Sequence, residues 1–242
     1  MKRVMMFSFI VVLFLSMVSI EAYSQTADEI LEKMIEAQGG RKALEAIEST
    51  TLSGSMQIMQ MNMTGSISVY QKEPNKMRVD IEMMGMNITQ AFDGTTAWFT
   101  NPQTGATQEM SEKQAKYFKR DALGRDALLN PKKLGITYKF KGKEKIKDKE
   151  YLVLEQIHPD DFTVTMYVDA KTYLTYKLKS RILNEAEAEV ESETIMSDYK
   201  KVEGFMMPHS INTFLDGQEY MKSTVTEITF NSDLEDSFFK MD

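Results

Sequence analysis

The stretch KMRVDIEM, Lys76 to Met83, decides the fold. Met77, Val79, Ile81 and Met83 alternate with Lys76, Arg78, Asp80 and Glu82. Successive side chains of a strand point to opposite faces, so this run is a strand with one apolar face and one charged face. Pro74-Asn75 supplies the turn before it. After it, Met84, Met86 and Ile88 open a second alternation, and Asp93-Gly94 is a strong hairpin signal.

The same period recurs outward. Strand signals begin near Thr51, and Ile67 and Val69 alternate with polar neighbours. Further strands are expected at 136–147, 150–157, 161–168, 173–182, 188–199, 206–215 and 219–230, most clearly in Phe162, Val164, Met166 and Val168. Turn signals fall at Lys141-Gly142, Asp160-Asp161, Asp169-Ala170, Glu203-Gly204 and Asp216-Gly217. Short, regular spacing of this kind predicts one large antiparallel sheet joined by hairpins.

Two segments break the period. From Thr26 to Ile47, Ile30, Leu31, Met34 and Ile35 form one helical stripe, with Gly39-Gly40 as its stop. Ser111 with Gln114 makes a capping box, followed by Ala115, Phe118, Ala122 and Leu123 at helical spacing. Gly124 interrupts that pattern, which predicts two short helices ending before Asn130-Pro131. The class is therefore α+β: a large curved antiparallel sheet of about ten or eleven strands around a few helices.

Lys2-Arg3, the apolar run Val4–Ile20 and the small-x-small site Ala22-Tyr23-Ser24 have the layout of a secretory signal peptide over 1–24. The remainder, 25–242, is the size of a single domain. With no cysteine there is neither disulfide nor thiol chemistry. The net charge of −7 becomes −8 without Lys2, Arg3 and Glu21, which argues against nucleic acid and against an anionic membrane surface.

Catalytic signals are poor. The chain has two histidines, His158 and His209, and lacks G-x-S-x-G, H-E-x-x-H and phosphate-loop patterns. Glu185, Glu187, Glu189, Glu191 and Glu193 fall on one strand face and read as a solvated edge that discourages sheet pairing. No catalytic residue, metal or cofactor is expected.

Methionine is the unusual feature: twenty in the chain, clustered in MQIMQMNM (56–63) and MMGM (83–86). Three readings stand: an ordinary core, a pocket adaptable to varied apolar guests, and a Cu(I) site built on Met59, Met61 and Met63. Met56 and Ile58 occupy one strand face and those three the other, so either a bulge switches the face or the strand is covered on both sides.

YQKEPNKMRVD (70–80) and ITQAFDGTTAWFTNPQTG (88–105) resemble the LolA-like family of periplasmic lipoprotein carriers. The family signature D-G-x-x-x-W-x-x-N-P is matched by Asp93, Gly94, Trp98, Asn101 and Pro102. DYKKVEGFMMPHSI (198–211) is similar to the family's late strand pair. The resemblance implies an unclosed β-barrel with a helical lid over an apolar cavity. It also implies a monomeric, non-enzymatic periplasmic carrier that buries acyl chains and exchanges them with inner- and outer-membrane transfer proteins. On it, Ile67, Val69, Met77, Val79, Ile81, Met83, Met84, Met86, Ile88 and Trp98 are expected to form the wall, and Phe118 and Leu123 the lid. The sequence departs from the family in two places. Glu73 stands where the family turn carries an arginine tied to lid closure, and the chain stops at Phe238-Phe239-Lys240-Met241-Asp242, without the carrier's extra segment. The alternative is a structural or sensor domain of the same fold that engages a protein partner.

Overall fold

A computed structural model describes residues 25–184 and 187–241. The expected signal peptide and Glu185 lie outside these residues.

Helix α1 (Ala27–Gln38) begins at a capping box in which Thr26 Oγ1 accepts from the Glu29 amide at 3.2 Å and Glu29 Oε2 accepts from the Thr26 amide at 2.9 Å. It ends at Gly39, whose φ of +138° admits only glycine comfortably; a Cβ there would stand 2.7 Å from the Phe205 ring. Helix α2 (Arg41–Glu45) follows. The strands come next: β1 (Ser49–Ile58), β2 (Met63–Lys72), β3 (Lys76–Met83), β4 (Met86–Phe92), β5 (Ala97–Thr100) and β6 (Thr107–Glu109). An insert carries helices α3 (Glu112–Asp121) and α4 (Asp126–Leu129). The second run of strands is β7 (Thr137–Ile146), β8 (Lys149–Ile157), β9 (Thr163–Asp169), β10 (Thr175–Leu183), β11 (Glu189–Val202), β12 (Phe205–Leu215) and β13 (Gln218–Phe230). A 3-10 turn spans Asp236–Phe239.

All thirteen strands form one antiparallel sheet in the order β6-β5-β4-β3-β2-β1-β13-β12-β11-β10-β9-β8-β7. The chain thus builds one half outward from β1 to β6, crosses through the helical insert, and returns from β7 to β13 to pair with β1. The two edges, β6 and β7, do not pair, so the barrel is unclosed, and the insert is the link between them. Thirteen strands exceed the expected ten or eleven. The extra ones, β5 and β6, have four and three residues, too few for an alternation to register.

The helices cover one face of this sheet. Ile30, Leu31 and Met34 of α1 pack on Leu152, Leu154 and Val168 of β8 and β9. Ile35, Leu44, Ile47 and Leu129 gather α1, α2 and α4 beside Phe205 and Phe230. Ala122, with Phe118 and Ala115, joins α3 to Phe92 and Ala97 of β4 and β5.

Two sequence readings are corrected. The Met56–Met63 stretch contains neither a bulge nor a doubly covered strand. β1 stops at Ile58, Met59–Asn62 make the hairpin turn, and Met63 pairs with Ile58 on the same buried cluster as Met56. The glutamate row is not an edge. β11 lies between β10 and β12, Glu187 sits in the preceding turn, and Glu189, Glu191 and Glu193 pair across the ladder with Arg181, Lys179 and Lys177.

Candidate functional site: an apolar concave face under a helical insert

Register fixes which side chains share the helix-covered face. In β2, β3 and β4 it carries Ile67 and Val69, then Met77, Val79, Ile81 and Met83, then Ile88 and Phe92. It continues through Leu52 of β1 and Ile228 of β13, then Ile211, Met196 and Leu178 of β12, β11 and β10. It ends on Met166 and Leu154 in the α1 cluster. The flanks of this face are sealed by α1 and α3. Its middle is not: Leu52, Ile67, Val69, Val79, Ile81, Ile88, Leu178, Met196 and Ile211 all keep part of their surface accessible. A sheet face packed solid would bury such a row. Here apolar side chains from seven strands form a partly accessible row on the helix-covered face, between the parts that α1 and α3 seal.

Helix α3 crosses this face and is tied on both sides. Phe118 and Ala122 face β4 and β5. One helical sector away, Tyr117 meets the Phe162 ring edge-on at 5.7 Å, and the Arg120 guanidinium lies 4.0 Å from the Phe162 ring and ion-pairs with Asp160. Lys116 reaches the same carboxylate at 3.1 Å. Burial opposes the charge on Asp160, but the hydrogen bonds from Arg120 and Lys116 prevail and hold it well below the usual carboxylate range. Beside this tie opens a polar pocket of about 640 Å³, lined among others by Tyr117, Arg120, Tyr167, Lys179 and Glu191.

A second tie lies after α3. Arg125 Nη2 stands 2.9 Å from Glu73 Oε1, while Nη1 donates to Thr50 Oγ1 at 2.9 Å and Nη2 to the Ile47 carbonyl at 3.1 Å. Gly124, with φ +49°, lets the chain approach Gln71 so closely that a Cβ would fall 1.5 Å from its Nε2. The carboxylate therefore sits on the barrel turn and the guanidinium on the insert. Burial raises the Glu73 pKa and lowers that of Arg125, so desolvation outweighs their attraction.

Asp121, the last residue of α3, is exposed by area yet surrounded by protein, and that desolvation pushes its carboxyl up to about 6, with Arg120 pulling weakly the other way.

Of the residues expected in the wall, Ile67, Val69, Met77, Val79, Ile81, Met83 and Ile88 share the concave face. Met86 shares that register face at its rim, 42 % exposed. Met84 does not belong with them: it occupies the β3–β4 turn at φ +52° and is 75 % exposed. Trp98 does not either. It pairs with Ala91, which pairs with Arg78, on the opposite face, and its Nε1 donates to the Phe239 carbonyl at 2.9 Å. Phe118 packs under α3, and Leu123 is half-buried just beyond it. Met59 and Met61 stand in the β1–β2 turn while Met63 packs in the Met56 cluster, so the three do not form the single strand face expected of a thioether site. Among the described residues no group of three or more His, Asp or Glu is placed to hold a metal.

Leu52, Leu178, Met196 and Ile211 share the face, and Arg125 pairs with Glu73, without a local signal in the sequence. Leu178, Met196 and Ile211 lie inside strands that were foreseen; only the pairing of β13 with β1 brings them opposite the first wall.

The D-G-x-x-x-W-x-x-N-P signature has a structural cause. Asp93 Oδ1 accepts the amides of Thr95 and Thr96 at 2.8 and 2.7 Å, and Asn101 Oδ1 accepts that of Gln103 at 2.9 Å, so both close turns. The tryptophan fastens the C-terminal turn to the outer face.

An unclosed antiparallel barrel with helices on its concave face is the LolA-like fold, and solved structures agree. A LolA superfamily protein from Nitrosomonas europaea superimposes with a TM-score of 0.62 at 18 % identity, over 90 % of this chain and 98 % of that one. A DUF1329 family protein from Desulfovibrio piger gives 0.61 at 12 %, over 90 % and 98 %. A putative outer membrane lipoprotein-sorting protein domain from Vibrio parahaemolyticus gives 0.59 at 13 %, over 87 % and 94 %. No family model and no curated protein sequence matches the chain.

Proposed function

We propose that this protein is a carrier that buries the acyl chains of a lipid or lipoprotein in the concavity between β4 and β10, for transport toward the outer membrane. The observation that carries this reading is the row of partly accessible apolar side chains from Ile88 to Leu178 on the helix-covered face. Burying hydrocarbon is worth about 0.8 kcal/mol per methylene, so a palmitoyl chain gains on the order of 12 kcal/mol gross. Ordering removes several of these, which leaves binding that is tight but reversible. Entry and release need α3 and α4 to move, and the Asp160 and Glu73 ties are what that motion must break. The export signal read in 1–24 supports a periplasmic site of action.

The test is titration with a fluorescent fatty acyl probe. Ile81→Asp and Leu178→Asp, on opposite walls, are each expected to weaken binding at least about tenfold, because a buried unpaired carboxylate costs more than 1.4 kcal/mol. Saturable one-to-one binding that survives both substitutions places the probe elsewhere and overturns the reading.

A further inference from the structure

Asp121 breaks three local rules at once. It is the C-terminal residue of α3, where the helix dipole disfavours negative charge. Its carboxylate has no hydrogen bond or ion pair among the described residues, only the field of the neighbouring Arg120. It also faces the concavity. On the helix it falls between Phe118, which packs toward β4 and β5, and Tyr117, which packs toward Phe162, so its sector looks down on the apolar wall between them. Its large accessible area combined with its raised pKa, about 6, fits that placement. A residue that violates local preferences without gaining a partner in the fold is placed for a partner from outside.

We infer that Asp121 is a specificity residue of the concavity: it selects amphiphiles whose polar end is a cation, such as an ammonium group, and rejects those ending in a carboxylate. This inference rests on the reading of the concavity as a hydrocarbon site and adds the chemistry of the ligand's head. In the partly desolvated space beneath α3, an ammonium within contact distance of the carboxylate gains a charge-assisted hydrogen bond. A second carboxylate there is repelled with little solvent to screen it. A neutral hydroxyl, able to donate, falls between the two.

Three probes with the same hydrocarbon tail separate these terms: dodecylamine, dodecanol and dodecanoate, each displacing N-phenylnaphthylamine from the full-length protein at pH 8. The amine is expected to compete at least about tenfold more strongly than the carboxylate, equivalent to 1.4 kcal/mol. In Asp121→Asn the gap is expected to shrink to less than about twofold, with dodecanol unchanged. Asp121→Ser, judged folded by its circular dichroism and melting, serves as a second variant. Equal competition by amine and carboxylate in the wild type, or a preference that survives both substitutions, overturns the inference while leaving the hydrocarbon site standing. Failure of dodecanol itself to bind overturns the hydrocarbon site, and the inference with it.

Discussion

Arg125 and Glu73 illustrate how a charge pair can hold a segment without stabilising it much. Both are about four-fifths removed from solvent, and burial disfavours the charged form of each. Taking one partner away leaves the other charge stranded. Arg125→Met alone is therefore expected to lower the unfolding free energy by about 2 kcal/mol, whereas Glu73→Met with Arg125→Met restores most of the loss. Urea denaturation of the two variants checks this, and equal losses would show that the pair is a net stabiliser. Asp121 gives the opposite pH signature to a salt-bridged carboxylate. Its folded pKa, about 6, lies above the ordinary 3.8, so between these values the folded state binds more protons than the unfolded chain. Stability is therefore expected to fall as pH rises from 4 to 6 through this residue, and Asp121→Asn to flatten that slope. Melting temperatures across the window report it. At Trp98, replacement by Phe removes the bond to the Phe239 carbonyl and is expected to cost about 1 kcal/mol, with the C-terminal turn gaining hydrogen exchange before the sheet does.

At the scale of elements, the proposed carrier function requires the insert to move. α3 has no fully buried residue of its own, while the sheet it crosses contributes Phe92 and Ala97 to the contact. Its hold on the far wall is polar and aromatic, through Asp160 and Phe162, and its hold on the near wall is apolar. Asp160→Asn is expected to raise hydrogen exchange across 112–129 severalfold and to leave β1, β2 and β13 unchanged. Uniform loss of protection would mean that the insert is part of the core. The elements themselves were legible wherever one face is buried and the other wet. KMRVDIEM reads as a strand because Met77, Val79, Ile81 and Met83 pack inward while Lys76 and Arg78 reach the outer face. The capping box at Ser111 marked the start of α3 correctly. Period alone could not tell that Met84 lies in a turn: a residue that continues an alternation in sequence ceases to continue it in space once the chain reverses. Trp98 was misplaced for a related reason. Its partner is Phe239, far along the chain, and nothing local distinguishes an outer anchor from an inner wall.

At the scale of the molecule, the two halves of the sheet pair through β1 and β13, and that junction sets the two apolar rows on one face. This is why half the wall was visible in the sequence and half was not: Val79 and Ile81 announce a face, but which face Leu178 and Met196 oppose is fixed by pairing between strands far apart in the chain. It is also why Asp121 escaped notice, since its meaning depends on what lies across a space rather than on its neighbours in sequence. The central claim is that this space is held open for hydrocarbon. Organic extraction of freshly purified full-length protein, followed by mass spectrometry of the extract, tests it most directly. The expected result is an amphiphile with one or more acyl chains, recovered in near-equal molar amount and lost from the Ile81→Asp protein. An extract without lipid, from a protein that also takes up no acyl probe when one is offered, would contradict it.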